Sequence, residues 1–272
     1  MKKIASLLAL TALTFTFHFH QAKAEKTPSP ANGLQEQNTM SVLWFQTAGE
    51  AKALYYQGYN IGKIRLDEAL RKNANKRGFK PAIVLDIDET VLDNSPYHAW
   101  RVLTGKGDPI DWGDWFNRAE AKPLPGALEF LKYADKKGVE IFYISNRRET
   151  YKEVTIKNLQ KIGAPNADAK HVLLLANRET GKESRRAHVA KNYHIILLFG
   201  DNLGDFSGFD ELSASERALG VDRHKADFGK KLIVFPNPMY GDWEAAIYRY
   251  NYQKPVEEMI KLRKKNLHPY EP

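Results

Sequence analysis

Three carboxylates in this sequence have the chemistry and spacing needed to bind a metal ion. Asp86 and Asp88 follow the apolar run Ala82–Leu85 and lie two residues apart, so a chain that stays extended points both side chains to the same side. Asp201 follows another apolar run, Ile195–Phe199. Carboxylates this close repel each other unless a cation lies between them. Because oxygen ligands without His or Cys suit a hard cation, the pattern indicates Mg²⁺ first of all.

Further residues could supply the other parts that phosphoryl transfer requires, namely groups that hold the phosphate and an in-line nucleophile. The Ser145 hydroxyl can donate a hydrogen bond to phosphate, and Lys182 can neutralise its charge. Asp205 adds a carboxylate four residues after Asp201. A metal-bound carboxylate can itself attack phosphorus and form an aspartyl-phosphate. The set therefore predicts Mg²⁺-assisted chemistry on phosphate esters.

Each of these residues also has a structural interpretation that the residues themselves leave open. Asp-x-Asp pairs occur in calcium loops, sugar-transferase sites and ordinary turns, and Ser145 could cap a helix. Lys182 could be a solvated residue at a helix start, while Asp201 and Asp205 could stabilise a helix N-terminus. The order of the residues favours the catalytic interpretation, because each one follows a buried strand-like run or lies in the loop after it.

The elements that must position these residues form an alternating pattern of strands and helices. Short continuous runs of Val, Ile and Leu are typical of strands buried on both faces. Alternation with amphipathic stretches predicts an α/β fold with a parallel sheet flanked by helices, in which ligands bind beyond the carboxyl ends of the strands. The strand-like runs are Ala82–Leu85, Val139–Ile144, Val172–Leu175, Ile195–Phe199 and Leu232–Phe235, and the helical stretches are Gly126–Lys137, Glu149–Ile162 and Lys182–Asn192.

Two further segments carry structure of their own. The interval from about 93 to 125 is too long for a simple crossover and is rich in aromatic residues, so we predict a small inserted cap over the sheet edge. Residues 39–72 carry apolar residues at helical spacing. This N-terminal helical segment is predicted to form one long helix, or two helices joined near Gly58 or Gly62.

The chain begins with the features of a secretory signal peptide over residues 1–24. A short basic start precedes a mostly apolar stretch and then Ala22-Lys23-Ala24, a small-x-small cleavage pattern. An uncleaved anchor is the alternative, but the apolar stretch is short beside the roughly 20 residues that span a bilayer. We expect cleavage after Ala24. Residues 25–38 are polar with two prolines and predict a flexible lead-in, which leaves residues 39–272 as a single domain.

Composition narrows the class of protein. The 272 residues are 43% hydrophobic, which is too apolar for a disordered chain and sufficient for a sizeable core. The absence of cysteine excludes disulfides, thiolate zinc sites and a cysteine nucleophile. Removing Lys2, Lys3 and Lys23 with the signal peptide lowers the net charge from +8 to +5. This modest excess argues against a nucleic-acid polymer as partner and suits a small anionic substrate.

The order Asp-x-Asp-x-Thr, Ser, Lys and Gly-Asp-Asn…Asp resembles that of the haloacid-dehalogenase-like (HAD) phosphatase superfamily. Residues 84–97 (VLDIDETVLDNSPY) are similar to the first signature of bacterial class C acid phosphatases, the lipoprotein e(P4) family, and residues 200–206 (GDNLGDF) are similar to its second. Residues 236–244 (PNPMYGDWE) also resemble a family block. The similarity runs from about Val42 to the C-terminal helix and implies a HAD-like, Rossmann-type fold.

The resemblance implies roles for the four acids. Asp86 would be the nucleophile and a Mg²⁺ ligand. Asp88 would be the general acid/base and would bind the metal through its backbone carbonyl. Asp201 would be the third protein ligand, and Asp205 would support the metal waters or Lys182.

The resemblance also implies a phosphate-binding set. Ser145 would hold the phosphate with Asn146 beside it, and Lys182 would bind the phosphate and orient the nucleophile. Lys191 is a competing candidate for that lysine, because the loop over residues 180–185 needs a gap to fit the family pattern.

The aromatic residues predict the substrate class. Trp112 in the cap and Tyr240 in the far loop match family positions that contact substrate, and a nucleobase could stack between such rings. For Trp115 and Phe116 we expect packing of the cap onto the core instead. A stacking platform tolerates any base, so nucleoside monophosphates in general are the expected substrates.

The leading hypothesis is a secreted, Mg²⁺-dependent acid phosphatase or 5′-nucleotidase that works through a phospho-aspartate. A phosphotransferase or a dedicated sugar-phosphate phosphatase is an alternative, and a non-catalytic nucleotide-binding surface module is an alternative of another class. Many members of the family carry a lipid-modified cysteine after the signal peptide, but this chain has no cysteine. We therefore expect a soluble periplasmic or extracellular protein without a lipid anchor, whose oligomeric state, a homodimer included, is left open.

Overall fold

The computed structural model describes residues 30–106, 112–177 and 179–271. The predicted signal peptide at 1–24 lies outside these residues, as does the first part of the predicted lead-in. Among the helices in the described ranges, none combines the length and the apolar character needed to cross a bilayer.

A five-stranded parallel sheet lies at the centre of the domain, and each of the five predicted apolar runs forms one of its strands. The strands are β1 Pro81–Leu85, β2 Leu92–Asp93, β3 Lys122–Pro123, β4 Glu140–Arg148, β5 Val172–Leu175, β6 His194–Gly200 and β7 Leu232–Val234. Five of them take the sheet order β5-β4-β1-β6-β7, while β2 and β3 form a separate short antiparallel pair. The central position of β1 puts its carboxyl end between those of β4 and β6.

Helices cover both faces of the sheet in the described residues. Alternate residues of β1 enter different clusters: Ile83 and Leu85 pack with helices over Gly49–Lys72 and Ala127–Lys136, whereas Ala82 and Val84 pack with helices over Glu183–Ala190 and Ala214–His224. Because both faces of the sheet are covered, each strand has a continuous apolar run in the sequence. The helices are α1 Pro30–Glu36, α2 Thr39–Thr47, α3 Gly49–Lys72, α4 Ser95–Thr104, α5 Gly113–Phe116, α6 Ala127–Lys136, α7 Lys152–Lys161, α8 Glu183–Ala190, α9 Ala214–His224, α10 Asp242–Ile247 and α11 Val256–Lys265.

The N-terminal helical segment consists of two helices, but the predicted position of the joint is wrong. The break lies at Ala48, whose backbone is extended, while Gly58 and Gly62 lie inside α3. A Cβ at Gly58 would lie 2.4 Å from the Phe235 ring, and one at Gly62 would lie 2.6 Å from the Phe199 ring. The two glycines therefore allow α3 to approach the sheet closely, and they do not interrupt the helix.

The predicted flexible lead-in is helical where the structure describes it, over Pro30–Glu36. This correction has a tertiary cause. The Arg263 guanidinium of α11 donates a hydrogen bond to the Leu34 carbonyl at 3.0 Å, and the Asn38 side chain donates to the Met239 carbonyl at 2.7 Å. Contacts with distant parts of the chain thus hold a segment whose composition suggested a linker.

The insertion predicted over about 93–125 contains α4 and α5, and the antiparallel pair of β2 and β3 joins its two ends. Tyr97 of α4 packs with Trp112 and Phe116 in a small aromatic cluster. The segment thus has secondary structure and an apolar cluster of its own, as the interval length suggested. Its action as a cap stays a prediction.

Candidate active site

All nine residues that the sequence assigned to the site line one cavity of about 680 Å³. The reason is the topology, because β1, β4 and β6 are neighbours and their carboxyl ends meet at the same edge. Asp86 follows β1, Asp201 follows β6, and Ser145 lies near the end of β4. β4 continues to Arg148, so Ser145 is a strand residue and the helix-cap interpretation is wrong.

Lys182 lies between two carboxylates at the bottom of this cavity. It is only 4% exposed and forms ion pairs with Asp86 and, at 2.6 Å, with Asp205. The interpretation of Lys182 as a solvated residue at a helix start is therefore wrong, although it does precede α8. Lys191, the competing lysine, lies exposed at the other end of that helix.

Asp86, Asp201 and Asp205 form a group that could hold a metal ion. Each offers a carboxylate oxygen, and these oxygens lie within 4.8 Å of one another. The donors are all oxygen, which suits a hard divalent cation. The cluster is thus compatible with the divalent metal that HAD phosphatases use. Asp205 joins the group directly, whereas its sequence-assigned role was to support the metal waters or Lys182.

Burial and mutual repulsion shift the ionisation of these groups. Burial raises the pKa of Asp86 to about 7; Lys182 opposes this change, while Asp205 and Asp88 add to it. Burial, together with Asp205 and Asp86, raises the pKa of Asp201 well above its ordinary value. Burial alone would lower the pKa of Lys182, but Asp205 and Asp86 raise it. An excess of negative charge in a buried site favours a bound cation.

Asp88 has a different environment from the other three acids. Its carboxylate accepts hydrogen bonds from Ser145 Oγ at 3.1 Å, Asn94 Nδ2 at 2.8 Å, and Arg147 Nε and Nη2 at 3.0 and 2.7 Å. Arg147 is 5% exposed, and its guanidinium lies 4.0 Å from the centre of the Phe116 ring. Arg147 was not among the site residues predicted from the sequence. The sequence did contain a clue to its role, because Arg147 lies two residues after Ser145 and is a cation in a predicted site rich in acids.

Two further residues that the sequence analysis left unassigned hold Asp201. Asn237 Nδ2 donates to one carboxylate oxygen at 2.8 Å, and Thr90 Oγ1 donates to the other at 3.1 Å. Both residues lie in segments that carried the family resemblance. Asp205 accepts a hydrogen bond from the Asn202 backbone at 2.9 Å, so this acid both caps a helical turn and pairs with Lys182.

Asn146 is exposed at the cavity wall, and its side-chain oxygen accepts a hydrogen bond from Arg185 Nη2 at 2.8 Å. Arg185 also donates to the Ser145 carbonyl at 2.5 Å. The guanidinium thereby fixes the strand end that carries both predicted phosphate-binding residues.

Trp112 and Tyr240 contact each other directly. Their ring centroids are 4.8 Å apart with perpendicular planes, and the His98 ring stacks on Tyr240 at 4.7 Å. A base between two rings needs them about 7 Å apart, twice a contact distance of about 3.5 Å. The expected stacking of a base between Trp112 and Tyr240 is therefore incompatible with this arrangement. Tyr240 is partly exposed and Trp112 is buried, so Tyr240 offers the accessible surface.

Comparison with known proteins identifies the family. A family model described as HAD superfamily, subfamily IIIB (Acid phosphatase), matches residues 1–243. The chain belongs to this family. A solved structure of the class C acid phosphatase from Bacillus anthracis superposes with a TM-score of 0.84 at 55% sequence identity, covering 88% of this chain and 99% of that one. A structure of that enzyme with tungstate bound gives the same values. The predicted membership of the HAD-type acid phosphatase family and the predicted α/β fold are thereby confirmed.

Curated relatives are more distant. Acid phosphatase 1 of Solanum lycopersicum is 27% identical over 165 residues, which are 58% of this chain and 57% of that protein. A class B acid phosphatase of Xenorhabdus bovienii is 28% identical over 141 residues, which are 48% of this chain and 59% of that protein. The chain spans little more than half the length of these relatives.

Proposed function

We propose that the protein is an exported, Mg²⁺-dependent acid phosphatase that hydrolyses phosphomonoesters, with nucleoside monophosphates as preferred substrates. One observation carries this proposal: a buried carboxylate, Asp86, is paired with Lys182 and grouped with Asp201 and Asp205, while a second acid, Asp88, faces the same cavity in a separate set of hydrogen bonds. Catalysis by two carboxylates with different environments is a recurrent way to divide the roles of nucleophile and proton donor.

In the first step, an Asp86 oxygen attacks phosphorus and the ester P–O bond breaks. The leaving oxygen takes a proton from Asp88, and the phosphoryl group remains on Asp86 as a mixed anhydride. Lys182 and Ser145 neutralise and hold the phosphate oxygens. A bound divalent cation, for which Asp86, Asp201 and the Asp88 backbone carbonyl are the proposed ligands, would neutralise negative charge on the phosphoryl group.

In the second step, Asp88 accepts a proton from water as the water oxygen attacks the same phosphorus. The acyl phosphate bond breaks, which releases inorganic phosphate and restores the Asp86 carboxylate. Tungstate is an oxyanion of similar shape to phosphate, and its binding by a Bacillus anthracis class C acid phosphatase supports a phosphate-type substrate for this protein.

The partly exposed Tyr240 ring supports the preference for nucleotides. We propose that a nucleobase stacks on the cluster of Tyr240, Trp112 and His98 from outside, because no space separates the rings. Base–aromatic stacking contributes about 1–3 kcal/mol, so Tyr240→Ala should raise KM for AMP about tenfold and leave KM for glycerol phosphate within twofold. Equal changes for both substrates would refute a stacking role.

The predicted signal peptide supports export to the periplasm or the medium, in soluble form. Its test is the N-terminal sequence of the protein recovered from culture: a chain beginning at Glu25 supports cleavage after Ala24, and an intact Met1 in membrane fractions contradicts it.

The main experiment measures phosphate release from p-nitrophenyl phosphate and AMP, with Mg²⁺ and with EDTA. We expect turnover of both substrates with Mg²⁺ and loss of activity in EDTA that Mg²⁺ restores. Asp86→Asn should abolish turnover, whereas Asp88→Asn should slow it while phosphate binding persists. Normal turnover by Asp86→Asn would exclude Asp86 as the nucleophile.

A further inference from the structure

Glu89 is a fully buried acid next to the proposed general acid/base, and the proposed mechanism does not use it. It is 0% exposed and has φ +53°, a backbone conformation that non-glycine residues adopt at an energetic cost and that is often found at functional sites. The Tyr55 hydroxyl donates to its carbonyl at 2.5 Å, which helps to hold this conformation. The fold thus holds this carboxylate in a costly backbone conformation directly beside the site.

The Glu89 carboxylate joins two parts of the chain that both face the substrate cavity. It accepts hydrogen bonds from the Asn94 backbone N–H at 2.7 Å and from Asn94 Nδ2 at 3.3 Å. It also accepts one from the Tyr240 hydroxyl. Asn94 begins the inserted cap, and Tyr240 belongs to the loop after β7.

Asn94 extends this connection to Asp88. Its Nδ2 donates to Asp88 Oδ1 at 2.8 Å, and its Oδ1 accepts a hydrogen bond from Trp115 Nε1 at 2.8 Å. Because both ends of the amide are engaged, its orientation is fixed by Trp115 on one side and by Asp88 and Glu89 on the other.

We propose that Glu89 is a positioning residue that couples the Tyr240 ring to the Asp88 carboxylate through Asn94. The proposal rests on the proposed function, in which Tyr240 contacts the substrate and Asp88 transfers the proton. A base that stacks on Tyr240 would then meet a ring already tied to the acid that serves the leaving group. Disturbing Glu89 displaces both groups together.

The chemistry of the junction requires a carboxylate. Three donors meet two oxygens, and both oxygens accept. A glutamine of the same shape has one oxygen and one NH₂ group, and in either orientation its NH₂ faces a donor of Asn94, the Nδ2 group or the backbone N–H. The Tyr240 hydroxyl can also accept, so Glu89→Gln specifically weakens the link to Asn94, with little change in volume.

The test is a double-mutant cycle with Glu89→Gln and Tyr240→Phe, measured on AMP and glycerol phosphate at saturating Mg²⁺. We expect Glu89→Gln to lower kcat about tenfold on both substrates, as for a buried donor left without its acceptor, and to raise KM for AMP alone. If Glu89 and Tyr240 act through one bond, adding Tyr240→Phe to Glu89→Gln should change kcat and KM less than twofold. The proposal is overturned if the effects of the two substitutions on kcat multiply in the double variant. It is also overturned if Glu89→Gln keeps the wild-type kcat.

Trp115→Phe provides an independent test if Glu89→Gln fails to fold. It removes the indole donor to Asn94, and Trp115 is not among the residues that line the substrate cavity. We expect it to lower kcat on both substrates while KM for glycerol phosphate is unchanged. Wild-type kcat in Trp115→Phe would overturn the role of Asn94 as the link.

Glu140→Gln is the matched control, because Glu140 accepts a tyrosine hydroxyl, that of Tyr193, at 3.0 Å at the opposite end of the sheet. Wild-type kinetics are expected, and a kcat loss like that of Glu89→Gln would point to a general stability effect and overturn the proposal. A wild-type enzyme that does not prefer AMP refutes only the proposed substrate class, since the loss of kcat is also measured on glycerol phosphate. Turnover by Asp86→Asn refutes the proposed mechanism, whatever Glu89→Gln shows.

Discussion

Asp86→Asn should make the metal-free protein more stable above neutral pH, although it removes the proposed nucleophile. Burial raises the pKa of the folded Asp86 carboxyl from 3.8 to about 7. Between these pH values the folded state holds a proton that the unfolded chain has released. The free energy of unfolding therefore falls as the pH rises through this window. The stabilisation that the proton contributes is complete below about pH 4 and lost above about pH 7.

The size of the effect follows from the same two values. Each pKa unit corresponds to 1.36 kcal/mol, so the difference between 3.8 and about 7 corresponds to about 4 kcal/mol. Asparagine has nearly the same shape and no charge at any of these pH values. Lys182 keeps a partner in the variant, because Asp205 lies 2.6 Å from its Nζ. We expect the variant to match the wild type near pH 4 and to exceed it by up to about 4 kcal/mol at pH 8.

The assay is urea unfolding followed by tryptophan fluorescence, in EDTA, at pH 4.5, 6 and 8. Mg²⁺ should narrow or reverse the difference in the free energy of unfolding between variant and wild type at pH 8. A bound cation stabilises the folded protein more when its affinity is higher, and the variant lacks one ligand. A difference between variant and wild type that is the same at all three pH values would refute the assigned cause. A variant less stable than the wild type at pH 8 in EDTA would do so as well.

Two further substitutions test the packing of the sheet and the environment of Asp88. Gly62→Ala places a Cβ 2.6 Å from the Phe199 ring and should lower the free energy of unfolding by about 1–3 kcal/mol. Gly49→Ala is the control: its Cβ would have no neighbouring atom within 4 Å, so the free energy of unfolding should be unchanged in the same urea titration. Arg147→Ala removes two of the donors to Asp88 and should lower kcat about tenfold or more with Mg²⁺ present. Arg147→Lys should recover part of this loss. An unchanged kcat in both variants would contradict the role of Arg147.

Local patterns were enough to predict the sheet and its acidic edge. A strand buried on both faces requires an uninterrupted apolar run, and β1 has one, with Asp86 directly after it. The parallel order then determines which strand ends meet, so the convergence of Asp86, Ser145 and Asp201 follows from topology alone. None of this required knowledge of a long-range side-chain contact.

The features that sequence reasoning missed depend on contacts between distant segments. α1 is held by Arg263, more than 200 residues away in the chain. In the sequence, Gly58 and Gly62 resemble helix breakers. In the structure they make room for the rings of Phe235 and Phe199. The pairing of Arg147 with Asp88 joins residues 59 positions apart. In each case the decisive partner lies on another element, and periodicity carries no information about it.

The contrast between Asp86 and Asp88 supports the proposal that these two acids, which lie two residues apart, take different roles. Asp86 lies among other carboxylates with Lys182 as its cationic partner; burial and the neighbouring acids disfavour its charged form, and a bound cation would favour it. Asp88 is held instead by donors from the cap and from β4, namely Asn94, Ser145 and Arg147. A nucleophile benefits from the first environment, because its reactivity then depends on the bound cation. A group that is proposed to give a proton to the leaving group and to take one from water in each cycle would benefit from the second, because fixed donors hold its carboxylate in one orientation.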